Sequence, residues 1–312
     1  MSFENGFRVE SGLLRDPRFG CLPRIGGDPP GRWVRREKPF LAGPVVDIRG
    51  LMASVNLKSI RDYLILLLAY GMFALLCLGW SVFAWPLRFV LPTEAGHRIG
   101  RRAIAGGFRV YLGLFERIGG LQLEIDALDG LRDAGPMVLA PNHPGLLDAL
   151  LLLSRLPRLG CVLKAELLHH PLLGAGARLA GYIGNDRRHR MIRLAAQGLA
   201  DGDPLLLFPE GTRTLTPPVG PFRLSPALIA RKAGVPIQTV LIETPSPFLG
   251  KHWPMWRCPD LPIRIRIRLG RRFPPPTDVR TCTAELQRYF EQALRADVSP
   301  AAAHGGDPGS RA

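Results

Sequence analysis

Residues 137–153 read MVLAPNHPGLLDALLLL. Met137 to Ala140 form a short apolar run of the kind a buried strand uses, and Leu146 to Ser154 form a longer one suited to a helix. Pro144 and Gly145 between them supply a sharp bend. His143 therefore falls at the carboxyl end of a strand, the favoured place for a site in an open α/β sheet. The same alternation runs through the rest of the chain from Leu121. Further strands are expected at Leu121–Ile125, Gly160–Leu163, Leu205–Phe208, Ile237–Ile242 and Ile263–Leu269. Further helices are expected at Pro171–Ala180, His189–Ala200, Ser225–Ala233 and Asp278–Ala296. Short apolar strands separated by helices predict an α/β fold, a mixed central sheet flanked by helices. In the run RIRIRIR, Ile263, Ile265 and Ile267 alternate with Arg264, Arg266 and Arg268, so this strand has one apolar and one basic face.

Two hydrophobic elements precede that domain. Tyr63 to Leu87 holds 25 residues without a charge, and about 20 apolar residues suffice to cross the hydrocarbon layer as a helix. The segment lies too far in, and is too long, for a secretory signal. Tyr63, Trp80 and Trp85 lie towards its ends, as interfacial aromatics do. A membrane anchor helix is expected over residues 60–91. A tilted span and a helix bent within one leaflet both stay open, since Gly71, Gly79 and Pro86 permit a bend. Lys58 and Arg61 lie before the segment, and Arg88, Arg98, Arg101 and Arg102 after it, which biases the C-terminal portion towards the cytoplasm. Residues 94–119 form a basic amphipathic helix with Ile104, Phe108, Tyr111 and Phe115 on one stripe. That helix either lies on lipid headgroups or packs its stripe on the main domain.

Residues 1–51 are rich in Gly, Pro and Arg and sustain no apolar period. They are either an irregular arm or the product of an upstream start codon, with Met52 as the natural start. Residues 298–312 are expected to be a disordered tail. Lys plus Arg number 41 against 26 Asp plus Glu, a formal charge of +15. This suits an anionic partner such as a membrane surface, a phosphorylated substrate or a nucleic acid. Hydrophobic residues at 46% exclude wholesale disorder. The five cysteines show no CxxC and no His/Cys cluster, which argues against a disulfide framework and a zinc site.

Three constellations carry chemistry. In Asn142-His143-Pro144-Gly145-Leu146-Leu147-Asp148 the turn can return Asp148 to the imidazole. An Asp accepting from one ring nitrogen leaves the other as a base. The plainer alternative is a His in a turn and an Asp favoured in a helix's first turn. Phe208-Pro209-Glu210-Gly211-Thr212-Arg213 follows another buried strand. Its Gly, exposed amides and Arg suit an oxyanion or phosphate, and a structural Glu210–Arg213 ion pair is the alternative. Gly181 to Arg190 places basic side chains after two glycines, either to hold a phosphate or as a solvated loop. Cys161 sits at the start of a strand and is read as core.

NHxxxxD, a Gly-to-Arg block, FPEGTR and then Gly234-Val235-Pro236-Ile237, in this order, resemble the glycerolipid acyltransferases, in particular the 1-acylglycerol-3-phosphate (lysophosphatidate) acyltransferase family. The resemblance covers residues 120–245 and implies an acyltransferase domain over residues 120–297. It implies His143 as general base and Asp148 as its orienting partner. Arg187 would bind the acceptor's phosphate, with Glu210, Gly211, Thr212 and Arg213 shaping that site. Lys164 and Arg223 would line the same basic pocket, and Pro236 would be a structural or acyl-side element. The family implies no cofactor, an acyl-coenzyme A or acyl carrier protein cosubstrate, membrane lipids as partners and no nucleic acid. It also implies a bacterial-type inner membrane location with the site facing the cytoplasm. Gly184-Asn185 stand where the family carries an aromatic-aliphatic pair, and the stretch from Thr244 to Trp256 is unusually rich in Pro and Trp. These departures leave lyso-ornithine lipid or a polyene-type lipid as alternative acceptors. A basic nucleic-acid binder and a catalytically silent lipid binder are the readings from other classes. The +15 charge alone favours the first, and intact His143, Asp148, Glu210 and Arg213 oppose the second.

Overall fold

The structure is a computed structural model and describes residues 57–296. The arm at 1–51 and the tail at 298–312 lie outside the described residues, as does Cys21. The first element, α1 (Leu57–Val90), runs unbroken for 34 residues through Gly71, Gly79 and Pro86. At 1.5 Å per residue it is ~50 Å long, and it is long and apolar enough to cross a membrane by length and composition. One side is left open, with Leu57, Leu67, Leu75, Phe83 and Phe89 exposed. On the other side Leu66 and Ala69 join the main core, and Ser81 Oγ donates to the Leu172 carbonyl at 2.7 Å.

After Leu91 and Pro92 the chain turns into α2 (Thr93–Arg117). Its stripe of Ile104, Tyr111 and Phe115 is buried in the main core with Phe108 packed beside it, so this helix packs on the domain. Arg101 is buried too. It donates to the carbonyls of Ala180 at 3.0 Å and Arg158 at 3.1 Å, and pairs with Asp203 at 2.5 Å. Arg98, Arg102 and Arg117 remain exposed. Gly100 permits the close approach, because a Cβ there would lie 2.7 Å from the Ala180 backbone nitrogen.

The domain is built on β1 (Leu121–Glu124), β2 (Val138–Pro141), β3 (Gly160–Leu163), β4 (Ile183–Gly184), β5 (Leu205–Leu206), β6 (Ile237–Glu243) and β7 (Ile263–Phe273). They form one seven-stranded sheet in the order β1-β7-β6-β2-β5-β3-β4. Every pair is parallel except β6 with β7. The sheet is therefore mixed, and its central strands are apolar on both sides. Leu139 faces a core shared with α1, α2 and α3 (Leu147–Arg155). Its neighbours Val138 and Ala140 face a second core under α5 (Arg188–Ala200), α6 (Ser225–Ala233) and α7 (Val279–Ala296). The short α4 (Gly174–Leu179) packs on α1 through Ala175 and Leu179. In β7 the isoleucines are buried and Arg264 and Arg266 exposed, the two faces its alternation requires.

The differences from the sequence reading are local. The ladder of β5 ends at Leu206, two residues short of Phe208. The helix expected from Pro171 begins at Gly174, because a 3-10 turn at Ala165–His169 and Pro171, which lacks an N–H, precede it. β4 was not expected, and β7 runs on to Phe273, which pairs with Ile237.

Candidate active site

β2, β5, β3 and β4 point their carboxyl ends the same way, and each leads into a loop that carries polar side chains. Asn142 follows β2. Its Nδ2 donates to the Ile242 carbonyl at 2.9 Å and its Oδ1 accepts from the Ile242 N–H at 2.7 Å. A side chain thus continues the pairing with β6 while the backbone turns away.

His143 comes next and is held at every backbone group. Its N–H donates to Glu210 Oε1 at 3.1 Å, and its carbonyl accepts from the Thr214 N–H at 2.8 Å. Its ring stacks on Phe208 with centroids 3.8 Å apart and planes 20° from parallel. Nδ1 lies 2.8 Å from Asp148 Oδ2, in the first turn of α3. The same carboxylate oxygen accepts the Gly145 N–H at 2.8 Å. Burial pushes the Asp148 carboxyl above its ordinary pKa, while the His143 hydrogen bond and the Gly145 N–H pull it back down. A carboxylate at Nδ1 keeps the proton there and leaves Nε2 with a free lone pair. That second nitrogen has no partner among the described residues.

The turn after β5 is built around Glu210, which is buried. Oε1 accepts from the His143 N–H and from the Thr214 hydroxyl at 2.7 Å, and Oε2 accepts from the Gly220 N–H at 2.8 Å. No ion pair joins Glu210 to Arg213, so the alternative reading of a structural salt bridge does not describe this pair. Arg213 Nη1 instead donates to the carbonyls of Leu249 at 2.8 Å and Gly250 at 2.9 Å. Gly211 sits at φ +67°, where a Cβ would meet Arg223 Nε at 2.3 Å, and its N–H donates to the Phe208 carbonyl at 3.0 Å. Arg223 Nε donates to the Glu210 carbonyl at 3.3 Å, and Thr212 accepts from Lys251 Nζ at 3.0 Å.

The loop after β6 straps this turn. Leu249 is the one non-glycine with positive φ (56°) among the described residues, a region costly for a side chain. Its carbonyl accepts from both Leu146 N–H and Arg213. His143, Asp148, Glu210, Gly211, Thr212, Arg213 and Arg223 are thus one cluster. Lys164 and Arg187 lie on the same edge but outside it. Lys164 follows β3 and pairs with Glu166 at 3.4 Å. Arg187 follows β4, is 78% exposed and approaches Asp186 at 4.0 Å. Three strand spacings, ~14 Å, separate β4 from β2. Pro236 precedes β6 at the opposite, amino edge, where its carbonyl accepts the Val138 N–H at 3.0 Å. Cys161 is buried in β3, and burial pushes its thiol up to about 12.

Four participants had no assigned role in the sequence reading: Asn142, Phe208, Thr214 and the Leu249-Gly250 strap. The first three lie in or beside the quoted motifs. The strap reaches the site only through long-range backbone contacts, which no local pattern announces.

A mostly parallel sheet with a His on a buried Asp at its carboxyl edge places the chain among the α/β enzymes that carry their chemistry on the loops of that edge. Residues 122–243 match the family model described as Acyltransferase. The chain thus carries an acyltransferase-like domain, and within that group it resembles the glycerolipid enzymes. It is 26% identical over 230 residues to a 1-acyl-sn-glycerol-3-phosphate acyltransferase of Pseudomonas aeruginosa, covering 71% of this chain and 86% of that protein. It is 25% identical over 236 residues to the human 1-acyl-sn-glycerol-3-phosphate acyltransferase alpha, covering 73% and 82%. The crystal structure of the 1-acyl-sn-glycerophosphate acyltransferase of Thermotoga maritima shares the fold, with a TM-score of 0.60 at 18% identity over 78% of this chain and 98% of that one.

Proposed function

We propose that the protein transfers a fatty acyl group from a thioester to the free hydroxyl of 1-acylglycerol-3-phosphate, giving phosphatidate at a membrane surface. The observation that carries this is the 2.8 Å contact of His143 Nδ1 with buried Asp148, which leaves Nε2 unpartnered at the carboxyl edge. His143 Nε2 takes the hydroxyl proton as that oxygen attacks the thioester carbonyl. Asp148 stabilises the imidazolium without taking its proton. Backbone N–H groups of the turn after β5 stabilise the tetrahedral oxyanion, those of Gly211 and Thr214 excepted because the Phe208 and His143 carbonyls hold them. The intermediate collapses, the C–S bond breaks, and the imidazolium returns its proton to the thiolate. The reaction as written uses no metal and no cofactor. Arg187 and Lys164 hold the acceptor's phosphate from the far half of the edge, while Glu210 and Arg213 keep the His143 turn and its strap in place.

The exposed apolar side of α1 supports anchoring in a membrane, with the basic domain on the cytoplasmic face of a bacterial-type inner membrane. A second reading keeps the chemistry and changes the acceptor. It rests on Asn185, whose side chain accepts the Ala165 N–H at 3.2 Å and ties the loops after β3 and β4 together where the family carries an apolar pair.

The test uses membranes containing the protein or its His143→Ala variant, with acyl carrier protein and coenzyme A thioesters. Lysophosphatidate and lyso-ornithine lipid are offered side by side. His143-dependent phosphatidate formation is expected. Acylation of only the ornithine lipid would move the reading to the second acceptor, and no His143-dependent acylation of either would overturn both.

A further inference from the structure

On the sheet face opposite α1 and α2, the helical layer stops short. α5, α6 and α7 cover the central strands, but Gln122 and Glu124 of β1 and Arg264 and Arg266 of β7 are exposed. A groove of about 1300 Å³ occupies this uncovered corner. These four side chains form its floor, Pro217, Pro218 and the end of α7 at Leu294 and Arg295 form one wall, and the strap from Thr244 to Pro254 forms the other. At its inner end the groove reaches Asn142, Pro144 and Thr214, the residues that flank His143 in sequence and space.

The charge of the groove is one-sided once its pairs are removed. Glu124 pairs with Arg266 at 3.2 Å, and Glu243 accepts from Arg268 Nε at 2.7 Å. Arg264 and Arg295 make no ion pair or side-chain hydrogen bond among the described residues. Lys251 meets only the neutral Thr212 hydroxyl, and Arg257 lies over the Trp253 ring at 4.7 Å. Four cations therefore stand without a counter-charge, beside an indole. Prolines 144, 217, 218, 245, 247 and 254 stiffen the walls, so little ordering cost falls on a ligand.

Resting on the acyl-transfer reading above, we propose that this groove holds the phosphate-bearing nucleotide end of a coenzyme A thioester and delivers the thioester carbonyl to His143 at its inner end. Guanidinium forks match phosphate oxygens in pairs. The Trp253–Arg257 stack offers a flat, cationic platform for a purine. The volume exceeds the ordinary small-ligand range of ~300–1,000 Å³ and calls for a large ligand. Two strand spacings, ~10 Å, separate β7 from β2, a gap for a linear arm to bridge. A floor recessed between walls favours this slender polyanion over a carrier protein, whose helices are ~10 Å across.

The test measures binding of adenosine 3′,5′-bisphosphate to the purified full-length protein by calorimetry, beside steady-state kinetics. The wild type is expected to bind the bisphosphate, and acyl-coenzyme A to displace it. The Arg264→Glu/Arg295→Glu variant is expected to weaken that binding and raise KM for acyl-coenzyme A at least about tenfold, with KM for the acceptor within about twofold. Should the double variant unfold earlier than wild type on heating, Arg264→Gln is expected to show the same pattern at a smaller amplitude. Unchanged bisphosphate binding and donor KM would overturn the inference, as would a rise confined to the acceptor's KM or to an acyl carrier protein donor. If no acyl transfer is seen but bisphosphate binding still depends on Arg264 and Arg295, the groove assignment stands and the proposed reaction alone fails.

Discussion

The carboxyl edge of the sheet has two halves built on different physical terms. After β2 and β5, the site side chains are buried or half-buried and turned on one another: His143 on Asp148, Glu210 on three donors, Arg213 on two carbonyls. After β3 and β4, Lys164 and Arg187 stand in solvent with one loose carboxylate neighbour each. The first half is pre-organised and has little left to give a ligand except the free nitrogen of His143. The second is unorganised and keeps its charges available. A reacting group must be held rigidly to be useful, whereas exposed cations can adapt to the anion they meet.

Substitutions can sharpen or break that contrast. His143→Ala should lower kcat by about 10³-fold with the thermal midpoint nearly unmoved, and Asp148→Asn by about 10²-fold or more. A mild loss in either would mean the tight half is merely architecture. Glu210→Ala should act on stability, because it strands the Gly220 N–H, the His143 N–H and the Thr214 hydroxyl. At ~1–3 kcal/mol for a stranded buried group, denaturant unfolding should show a loss of at least about 2 kcal/mol. Arg187→Ala and Lys164→Ala should each raise KM for the phosphate-bearing acceptor about tenfold, the scale of one charged hydrogen bond, and leave unfolding unchanged. If they cost as much stability as Glu210→Ala, the two halves are not different in kind. Glu166→Ala should have the smallest effect. Removing the neighbour of Lys164 should lower acceptor KM by about twofold at most, since exposed ion pairs hold weakly.

Much of this was legible from local pattern. Ser225–Ala233 is a helix and Gly160–Leu163 a strand at the expected residues, because both are bounded by Gly or Pro and carry one clear period. β4 was not legible: two residues inside a Gly-rich run show no period at all, and only its pairing with Val162 and Leu163 makes it a strand. Asp148 was legible as a partner of His143, since five residues across a turn fix the approach. The work of Glu210 was not. A Glu three residues before an Arg suggests an ion pair, but burial offered three backbone or hydroxyl donors and Arg213 found carbonyls on a loop 36 residues away. The amphipathic helix showed the limit of charge patterning. Arg101 shares its neighbours' composition, yet it alone is buried, because Gly100 brings the backbone of α2 against Ala180.

That burial has a practical consequence for anyone preparing the protein. Ile104, Tyr111, Leu112 and Phe115 belong to the same core as Leu139, Leu151 and Ile265. Helix α2 is thus a structural wall of the domain. Cutting the gene at about residue 120 to obtain a water-soluble fragment would open that wall and yield inclusion bodies. Detergent or nanodisc preparations that keep α1 and α2 in place are the form in which the chemistry should be sought.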